Sequence, residues 1–157
     1  MARVVHIDSR ERVRPIGHIL AAFEARGIAH SVGRLYVGDY VNPFNARTVI
    51  DRKQNLIEVC SNLTQQHERF RSELERARDA GIRLVILVEH GRGIRTLNDV
   101  FGWYNPRLRT SPRATTGRQL GRMMYTVSAR YGVEWRLCDP AETGAEILKV
   151  LFEDERG

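Results

Sequence analysis

Ile82-Arg-Leu-Val-Ile-Leu-Val-Glu89 is the segment from which the architecture can be predicted, because six of its eight residues are aliphatic. A strand that lacks polar alternation is buried on both faces, which happens when helices cover both sides of a sheet. We therefore place this strand at the centre of the sheet. The predicted fold class is α/β, with a mixed central β-sheet flanked by helices.

The sequence on either side of this strand predicts the other elements from hydrophobic spacing and from turn-forming residues. Before the central strand we expect a strand at 3–8, a helix beginning near Pro15 and ending at Gly27, a hairpin of strands 30–41 and 47–53 around the turn 42–45, and a helix at 64–80. After it we expect a short helix near 96–103 and a helix from Pro112 to about Arg130 capped by Ser111. The chain then forms a strand at 133–138 and a last helix opened by a capping box at 139–142. The whole chain, 1–157, is predicted to be one domain. Within it we distinguish a core at about 3–90, a basic helical segment at 100–133, and a C-terminal strand and helix at 133–153.

The charge is unevenly distributed. The chain carries 25 basic and 19 acidic residues, and its lysines are Lys53 and Lys149, so the rest of the basic residues are arginine. Residues 100–133 contain no acidic residue at all, which is typical of a surface that binds a polyanion. The predicted DNA contacts in this segment are Arg107, Arg109, Arg113, Arg118 and Arg122. The alternative is a solvated basic face that reflects composition alone.

Several classes of protein are disfavoured by the sequence. It contains no apolar run of membrane-spanning length and no signal peptide at its start, so we expect a cytoplasmic protein with no membrane partner. Cys60 and Cys138 stand far apart without neighbouring histidines, which argues against a disulfide framework or a zinc site. Both are predicted to be buried thiols.

An acidic constellation in the first half of the chain suggests chemistry. Asp51 and Lys53 are two residues apart on a strand and therefore share a face, and the hairpin turn places Asp39 opposite residues 49–51. Two carboxylates and an amine suit phosphodiester hydrolysis assisted by Mg²⁺ or Mn²⁺. Asp8 and Glu11 are further candidate catalytic acids. In the alternative, Asp39 is a turn residue, Asp51 and Lys53 form a surface pair, and Asp8 caps a helix.

Two arginines lie next to these acids in the sequence. Arg10 and Arg52 are predicted either to bind the DNA backbone or to stabilise the acidic cluster. Farther along the chain, Trp103, Tyr104 and Tyr125 lie among the arginines of the basic segment. They are expected either to stack on unpaired bases or to pack under the loop. The role of Glu89, at the end of the central strand, is left open.

Five ordered segments resemble the nuclease domain of the XPF-type structure-specific endonucleases, which belong to the PD-(D/E)XK superfamily. These segments are residues 5–11, 37–41, 49–53, 69–70 and 85–89. The resemblance implies a restriction-endonuclease-like core, Mg²⁺ or Mn²⁺ held by Asp39 and Asp51, the lysine role for Lys53, and cleavage of branched DNA. It also implies supporting roles for the acids and arginines named above. Pairing of nuclease domains in the family, with apolar helices at 112–130 and 140–152, predicts a homodimer.

The sequence departs from the family pattern at two places. Asp51 replaces a glutamate, and Ile57 stands where the family has an aspartate four residues after its lysine, with Glu58 one residue later. The tandem helix-hairpin-helix repeats of larger members are not found, so the chain resembles a compact form carried by phages and prophages. The alternatives are a DNA-binding protein that has lost cleavage and a nuclease that acts on plain duplex DNA.

Overall fold

A computed structural model describes residues 3–153. Its sheet has six strands in the order β2-β1-β3-β4-β5-β6, with the parallel pairs β1/β2, β4/β5 and β5/β6 and antiparallel pairs on both sides of β3. The strands are β1 (Val4–Asp8), β2 (Ala29–Gly33), β3 (Tyr40–Asn42), β4 (Asn45–Lys53), β5 (Arg83–Glu89) and β6 (Glu134–Cys138). The predicted mixed sheet is confirmed.

The α-helices cover the two faces of this sheet. They are α1 (Gly17–Ala25), α2 (Leu56–Leu63), α3 (His67–Asp79), α4 (Leu97–Val100), α5 (Gly117–Tyr131) and α6 (Thr143–Phe152). Alternate residues of β5 enter two separate cores. Ile86 packs in one core with residues of α2, α3, α4 and α5, and Leu87 packs in the other with residues of α1 and α6. The prediction that this strand is buried on both faces is therefore confirmed.

The predicted strand 30–41 is wrong, because the structure divides it into β2 and β3. β2 pairs in parallel with β1, residues 34–39 form a loop, and β3 enters the sheet on the other side of β1. The buried carboxylate of Asp8 accepts the backbone N–H of Leu35 at 2.8 Å, which holds this loop against the end of β1. The hairpin itself is confirmed as β3 and β4, with Asn42 Oδ1 accepting the N–H of Phe44 in the turn.

The ends of several helices also differ from prediction. α1 begins at Gly17, after Pro15, and the helix predicted from residue 64 begins at His67. α5 begins at Gly117 because Thr116 and Gln119 form its capping box, so Ser111 and Pro112 do not start it. No capping box opens the last helix. A 3₁₀ turn at Pro140–Glu142 precedes α6, and the carboxylate of Asp139 pairs instead with Arg95 at 2.8 Å.

Helix α2 was absent from the sequence prediction. Its apolar residues Leu56, Val59 and Cys60 lie on its buried side, and the Asn55 side chain caps it by accepting the N–H of Glu58. Cys60 and the other cysteine, Cys138, are free and buried, as predicted. No helix within residues 3–153 has the length and apolar character required to cross a bilayer.

Candidate active site

A close approach between two strands brings the two predicted metal-binding aspartates together. β3 and β4 pair with Tyr40 opposite Ile50, so Asp39, one residue before Tyr40, lies beside Asp51. The N–H of Asp39 donates to the carbonyl of Ile50 at 2.7 Å. Gly38 has a φ of +75°, and a Cβ there would lie 2.4 Å from Val49 Cγ1. Only glycine therefore permits the hairpin to hold Asp39 at this place.

Asp51 and Lys53 point to the same face of β4, toward α3. Lys53 Nζ lies 3.3 Å from Asp51 Oδ2 and 5.1 Å from the centre of the Phe70 ring. Burial alone would lower the pKa of Lys53, but the negative charges of Asp51 and of the neighbouring Glu73 outweigh it, and the pKa is raised. Lys53 is therefore a positively charged ammonium group at neutral pH, held against a carboxylate.

These three side chains line a pocket of about 540 Å³. Carboxylates lie at its floor, and arginines from two parts of the chain, the segment after β1 and helix α3, surround them. The arginines are Arg10, Arg14, Arg69 and Arg76. The arrangement of a negative floor inside a positive rim suits a ligand that brings its own negative charge together with a cation.

The carboxyl groups of the pocket repel each other. Burial, followed by the charges of Asp51 and Glu11, raises the pKa of Asp39 well above its ordinary value. Burial and the charge of Asp51 raise the pKa of Glu73 to about 8. Both shifts arise first because the carboxyl groups are removed from water, and second because other negative charges lie close to them. Glu73, on α3, was not predicted from the sequence.

Asp8 has a different place from the one that the sequence suggested. It is fully buried, and its carboxylate accepts hydrogen bonds from Arg10 Nε at 2.8 Å, from Arg10 Nη2 at 3.2 Å and from two backbone N–H groups. It does not line the pocket, so the expectation that it is a catalytic acid has no support in the geometry. Asp8 fixes Arg10, whose side chain remains 58% exposed and does line the pocket.

Arg52 is fully buried, so the prediction that it contacts DNA is wrong. Alternation along β4 turns its side chain to the face opposite Asp51, where Nε donates to Glu11 Oε2 and Nη1 lies 3.4 Å from Glu89 Oε2. His18 Nε2 lies 3.0 Å from the same Glu89 oxygen. The other proposed role, stabilisation of the acidic cluster, is what this geometry supports. Glu89, whose role was left open, therefore belongs to the buried ion-pair cluster around Arg52.

Glu11 lines the pocket, but its carboxylate is already paired with arginines. It is 1% exposed, and besides Arg52 it faces Arg14 Nη1 at 3.7 Å. Glu58, which follows the position of the family's missing aspartate, is also engaged. It accepts Arg14 Nη2 at 2.7 Å and the N–H of Gln54 at 2.8 Å. Both acids position Arg14 and the turn after β4.

The arginines predicted to bind DNA in the basic segment are exposed, but none of them lines this pocket. Arg107 and Arg113 instead line a smaller pocket of about 340 Å³ between α2 and the loop before α5. Arg118 and Arg122 lie on the exposed side of α5. Arg14, Arg69 and Arg76 also surround the pocket. Their place could not be predicted from the sequence, because their neighbours in space come from distant segments.

The donor atoms of the pocket fit a hard divalent cation. Among the residues that the structure describes, Asp51 Oδ2 is buried and accepts no hydrogen bond, although Lys53 Nζ lies 3.3 Å away. Asp39 Oδ2 accepts the N–H of Arg52 at 2.8 Å. Within residues 3–153, no three histidine, cysteine or acidic side chains are arranged to hold a metal by themselves. Mg²⁺ commonly uses one or two carboxylates and takes its other ligands from water and from substrate phosphate. Asp39 and Asp51 would be those carboxylates.

Comparison with known proteins agrees with this fold and pocket. The family model of the ERCC4 domain matches residues 7–151. Two structures of XPF from Aeropyrum pernix, one of them described as a complex with DNA, have TM-scores of 0.70 at identities of 20% and 22%. The matches cover 98% of this chain and 65% or 66% of the solved chains. This chain therefore spans just under two thirds of the length of the solved chains. Among curated proteins, none matches the sequence significantly.

The family match extends over nearly all of the chain, and it includes both aspartates and the lysine of the pocket. The six-stranded mixed sheet between helices agrees with the fold of XPF. The resemblance that was expected from five short segments is confirmed. The chain belongs to the ERCC4 domain family and has the fold of an XPF-type nuclease domain.

Proposed function

We propose that this chain is a metal-dependent DNA endonuclease that hydrolyses phosphodiester bonds in branched DNA, such as junctions, flaps or forks, during recombination, repair or phage DNA processing. The observation that carries the proposal is the convergence of Asp39, Asp51 and Lys53 at the floor of a pocket with an arginine rim. Membership of the ERCC4 domain family supports it, as does the description of a similar fold in complex with DNA.

The pocket has groups that could hold a metal ion and groups that could stabilise the charge developing on the phosphate. A bound Mg²⁺ or Mn²⁺ would polarise the scissile phosphate and lower the pKa of an attacking water. Asp39 and Asp51 would hold that ion. The ammonium group of Lys53, 3.3 Å from Asp51, would stabilise the charge that grows on the phosphate oxygens. The water oxygen loses a proton to solvent and bonds to phosphorus, the bond from phosphorus to the 3′ oxygen breaks, and that oxygen takes up a proton from solvent. The products carry a 5′-phosphate and a 3′-hydroxyl.

The rim would position the substrate. Arg10, Arg14, Arg69 and Arg76 are near enough to the floor to contact phosphates on either side of the cut. The predicted contacts of the basic segment, Arg107, Arg109, Arg113, Arg118 and Arg122, would bind the arms of the DNA farther from the cut, because their exposed side chains lie outside the pocket.

A cleavage assay tests the proposal. Labelled Holliday junction, flap, fork and linear duplex DNA are incubated with the protein in Mg²⁺, Mn²⁺ or chelator. We expect metal-dependent cutting of the branched forms. Lys53→Ala should abolish cutting, and Asp39→Asn should abolish cutting while DNA binding is retained. Exposed residues of the same type give matched controls, Lys149→Ala and Asp79→Asn, which should cut normally. Equal cutting of linear duplex would show that the substrate is plain duplex DNA and not specifically branched DNA.

A DNA-binding protein without cleavage activity is the second candidate function. It is favoured by the shorter side chain of Asp51 and by the lack, within residues 3–153, of a complete three-residue metal site. Tight binding to DNA in the absence of cutting in either metal would establish this candidate and remove the first.

The predicted homodimer is a separate part of the proposal. The apolar faces of α5 and α6, which suggested a dimer, pack inside this chain. Leu120 and Met124 of α5 are buried in one of its two cores, and Ile147 and Leu151 of α6 are buried in the other. A pairing surface would need other exposed apolar side chains, such as Val13 and Phe44. Sedimentation at micromolar concentration tests it, and a particle of 18.0 kDa would remove the dimer.

A further inference from the structure

A second pocket, of about 550 Å³, opens at the carboxyl ends of β4, β5 and β6. Its lining comes from the segments that follow these three strands. It includes Gln54, His90, Arg92, Trp103, Tyr104 and Pro140. The carboxyl ends of parallel strands are where open α/β sheets most often bind ligands. Neither the proposed cleavage chemistry nor the comparisons assign a role to this pocket.

The second pocket adjoins the active-site pocket. The first turn of α2 forms a wall between them, because Ile57 lines the second pocket and Glu58 lines the active site. Gln54 directly follows Lys53 in the chain. A strand rises roughly 3.3 Å per residue, so only a few ångströms of chain separate the two pockets at this point. A DNA strand with one phosphate at Lys53 therefore has a neighbouring nucleotide within reach of the second pocket.

Two aromatic rings give the second pocket its shape. Trp103 is partly exposed and contacts the ring of His90 edge to face, with the ring centres 5.8 Å apart. Tyr104 is 57% exposed and lies next to it in the chain. An unpaired base stacks on such rings whatever its sequence, because every base has an aromatic face. The volume is within the range of pockets that bind small ligands, which is about 300–1,000 Å³.

The polar groups of the pocket match a nucleotide rather than a purely apolar ligand. His90 Nδ1 accepts the N–H of Leu56 at 3.2 Å, so the neutral ring carries its proton on Nε2. The side-chain amide of Gln54 makes no hydrogen bond to any residue in the described range 3–153, and Arg92 is exposed. The acidic lining residue is Glu89, whose carboxylate pairs with Arg52 at 3.4 Å and lies 3.0 Å from His18 Nε2. The pocket can thus offer donors to a base and a cation to its phosphate.

We propose that this pocket receives one unpaired base of the DNA strand whose phosphate is cut at Lys53. Trp103 and Tyr104 stack on the base, Gln54 and His90 contact its polar edge, and Arg92 pairs with its phosphate. This inference rests on the proposed nuclease function and deepens it. A base that is paired within a continuous duplex is not available to the pocket, so the pocket favours branched or frayed DNA.

Tryptophan fluorescence of the full chain tests the proposal. The protein has two tryptophans, so Trp135→Phe leaves Trp103 as the remaining reporter. The measurement is made in chelator, so that no DNA is cut. A short oligothymidine and a flap DNA should quench Trp103 strongly, and a blunt duplex should quench it weakly. Binding in the otherwise unmodified protein is measured separately by electrophoretic mobility shift, so that the result does not depend on the Trp135 variant.

The decisive variant is Tyr104→Ala, because this exposed ring can be removed without opening a core. We expect single-strand and flap binding to weaken about tenfold, the usual effect of losing one base-stacking contact, with duplex binding unchanged. Tyr125→Ala is the matched control. Tyr125 is a 47% exposed aromatic of the same segment, and the structure supports the packing alternative for it. Its hydroxyl donates to Asn98, its ring lies 5.9 Å from that of Phe101, and it is outside the pocket. Its removal should change nothing.

The outcomes separate this proposal from the proposed function. Cutting of branched DNA without quenching of Trp103, or equal weakening of single-strand and duplex binding by Tyr104→Ala, would overturn the base pocket and leave the nuclease intact. Quenching and selective weakening in a protein that cuts no DNA in either metal would support the base pocket and overturn the nuclease.

Discussion

The face to which a side chain points, and the partners that it already has there, determine which of the predicted site residues can reach a substrate. Arg10 and Arg52 are both next to an acid in the sequence, yet Arg10 is mostly exposed at the pocket rim and Arg52 is fully enclosed. Asp8 and Asp39 differ in a similar way. The oxygens of Asp8 are occupied by hydrogen bonds, and Asp39 keeps an oxygen toward the pocket. Residue type and spacing could not separate these pairs, because the distinction depends on contacts between distant segments.

The structural role of Asp8 predicts a pH-dependent loss of stability. Burial raises the pKa of Asp8, but its hydrogen bonds with Arg10 and Leu35 outweigh this, and the pKa lies below the ordinary value of 3.8. A group with a lowered pKa stabilises the fold above its unfolded pKa and ceases to do so as the pH falls through the folded pKa. Asp8→Asn should lower the free energy of unfolding by about 1–3 kcal/mol at pH 7.

Urea denaturation of wild type and Asp8→Asn at several pH values measures this effect. The difference in unfolding free energy should be constant from pH 7 to pH 5 and should shrink below pH 3.8. The exposed Asp79→Asn is the control and should be close to wild type throughout. A difference that does not change with pH would show that the charge of Asp8 is not what stabilises the loop.

At the scale of elements, the hairpin β3/β4 assembles the active site. It was predictable because the turn residues 42–45 and the alternation of β4 are local signals. Helix α2 also had a local signal, with Asn55 as its cap and Leu56, Val59, Cys60 and Leu63 at helical spacing, but the extended pattern before it obscured this. The division between β2 and β3 had no comparable signal. It depends on the pairing of β1 with both strands, which is set by the whole sheet.

The hairpin makes a sharp prediction for Gly38→Ala. The added Cβ would lie 2.4 Å from Val49 and 3.0 Å from the carbonyl of Ile50, so Asp39 must move away from Asp51. We expect cleavage to fall at least tenfold and the melting temperature to drop. Gly27→Ala is the matched control, because Gly27 has a similar φ of +68° and no atom within 4 Å of its added Cβ.

Both variants carry similar backbone strain, so the comparison isolates the effect of the contact between the Cβ added at position 38 and Val49 and Ile50. Melting curves and the cleavage assay are measured side by side. Gly27→Ala should show a modest loss of stability, about 1 kcal/mol or somewhat more, with cleavage retained. Equal cleavage by the two variants would mean that the approach of β3 to β4 does not set the geometry of the aspartates.

At the scale of the whole molecule, exposed arginines proposed to contact the DNA backbone lie both at the pocket rim and in residues 107–122. If both regions contact phosphates, DNA affinity should fall steeply with salt. Arg118→Ala combined with Arg122→Ala should reduce the slope of log affinity against log salt by about 2, since each phosphate contact contributes roughly 0.9. Arg26→Ala, an exposed arginine beside the opposite helix α1, should leave the slope unchanged.

Filter binding of branched DNA to a cleavage-deficient Asp39→Asn protein, measured over a range of salt concentrations, gives these slopes. An unchanged slope in the Arg118 and Arg122 variant would remove these two arginines from the DNA contacts. The charge asymmetry could be predicted from the sequence. Its separation from the active site could not, because the arginines of the rim come from residues 10, 14, 69 and 76.

Arg52 joins the two sides of the sheet. Its N–H donates to Asp39 at 2.8 Å in the active site, and its side chain, on the opposite face of β4, pairs with Glu11 and Glu89. In a mutational scan that is scored on DNA cleavage, position 52 will therefore be as intolerant as Asp39 and Lys53, although its side chain touches no substrate. A parallel score for protein abundance will distinguish them, since Arg52 variants will disappear from the folded pool and the substitutions Asp39→Asn and Lys53→Ala will remain in it.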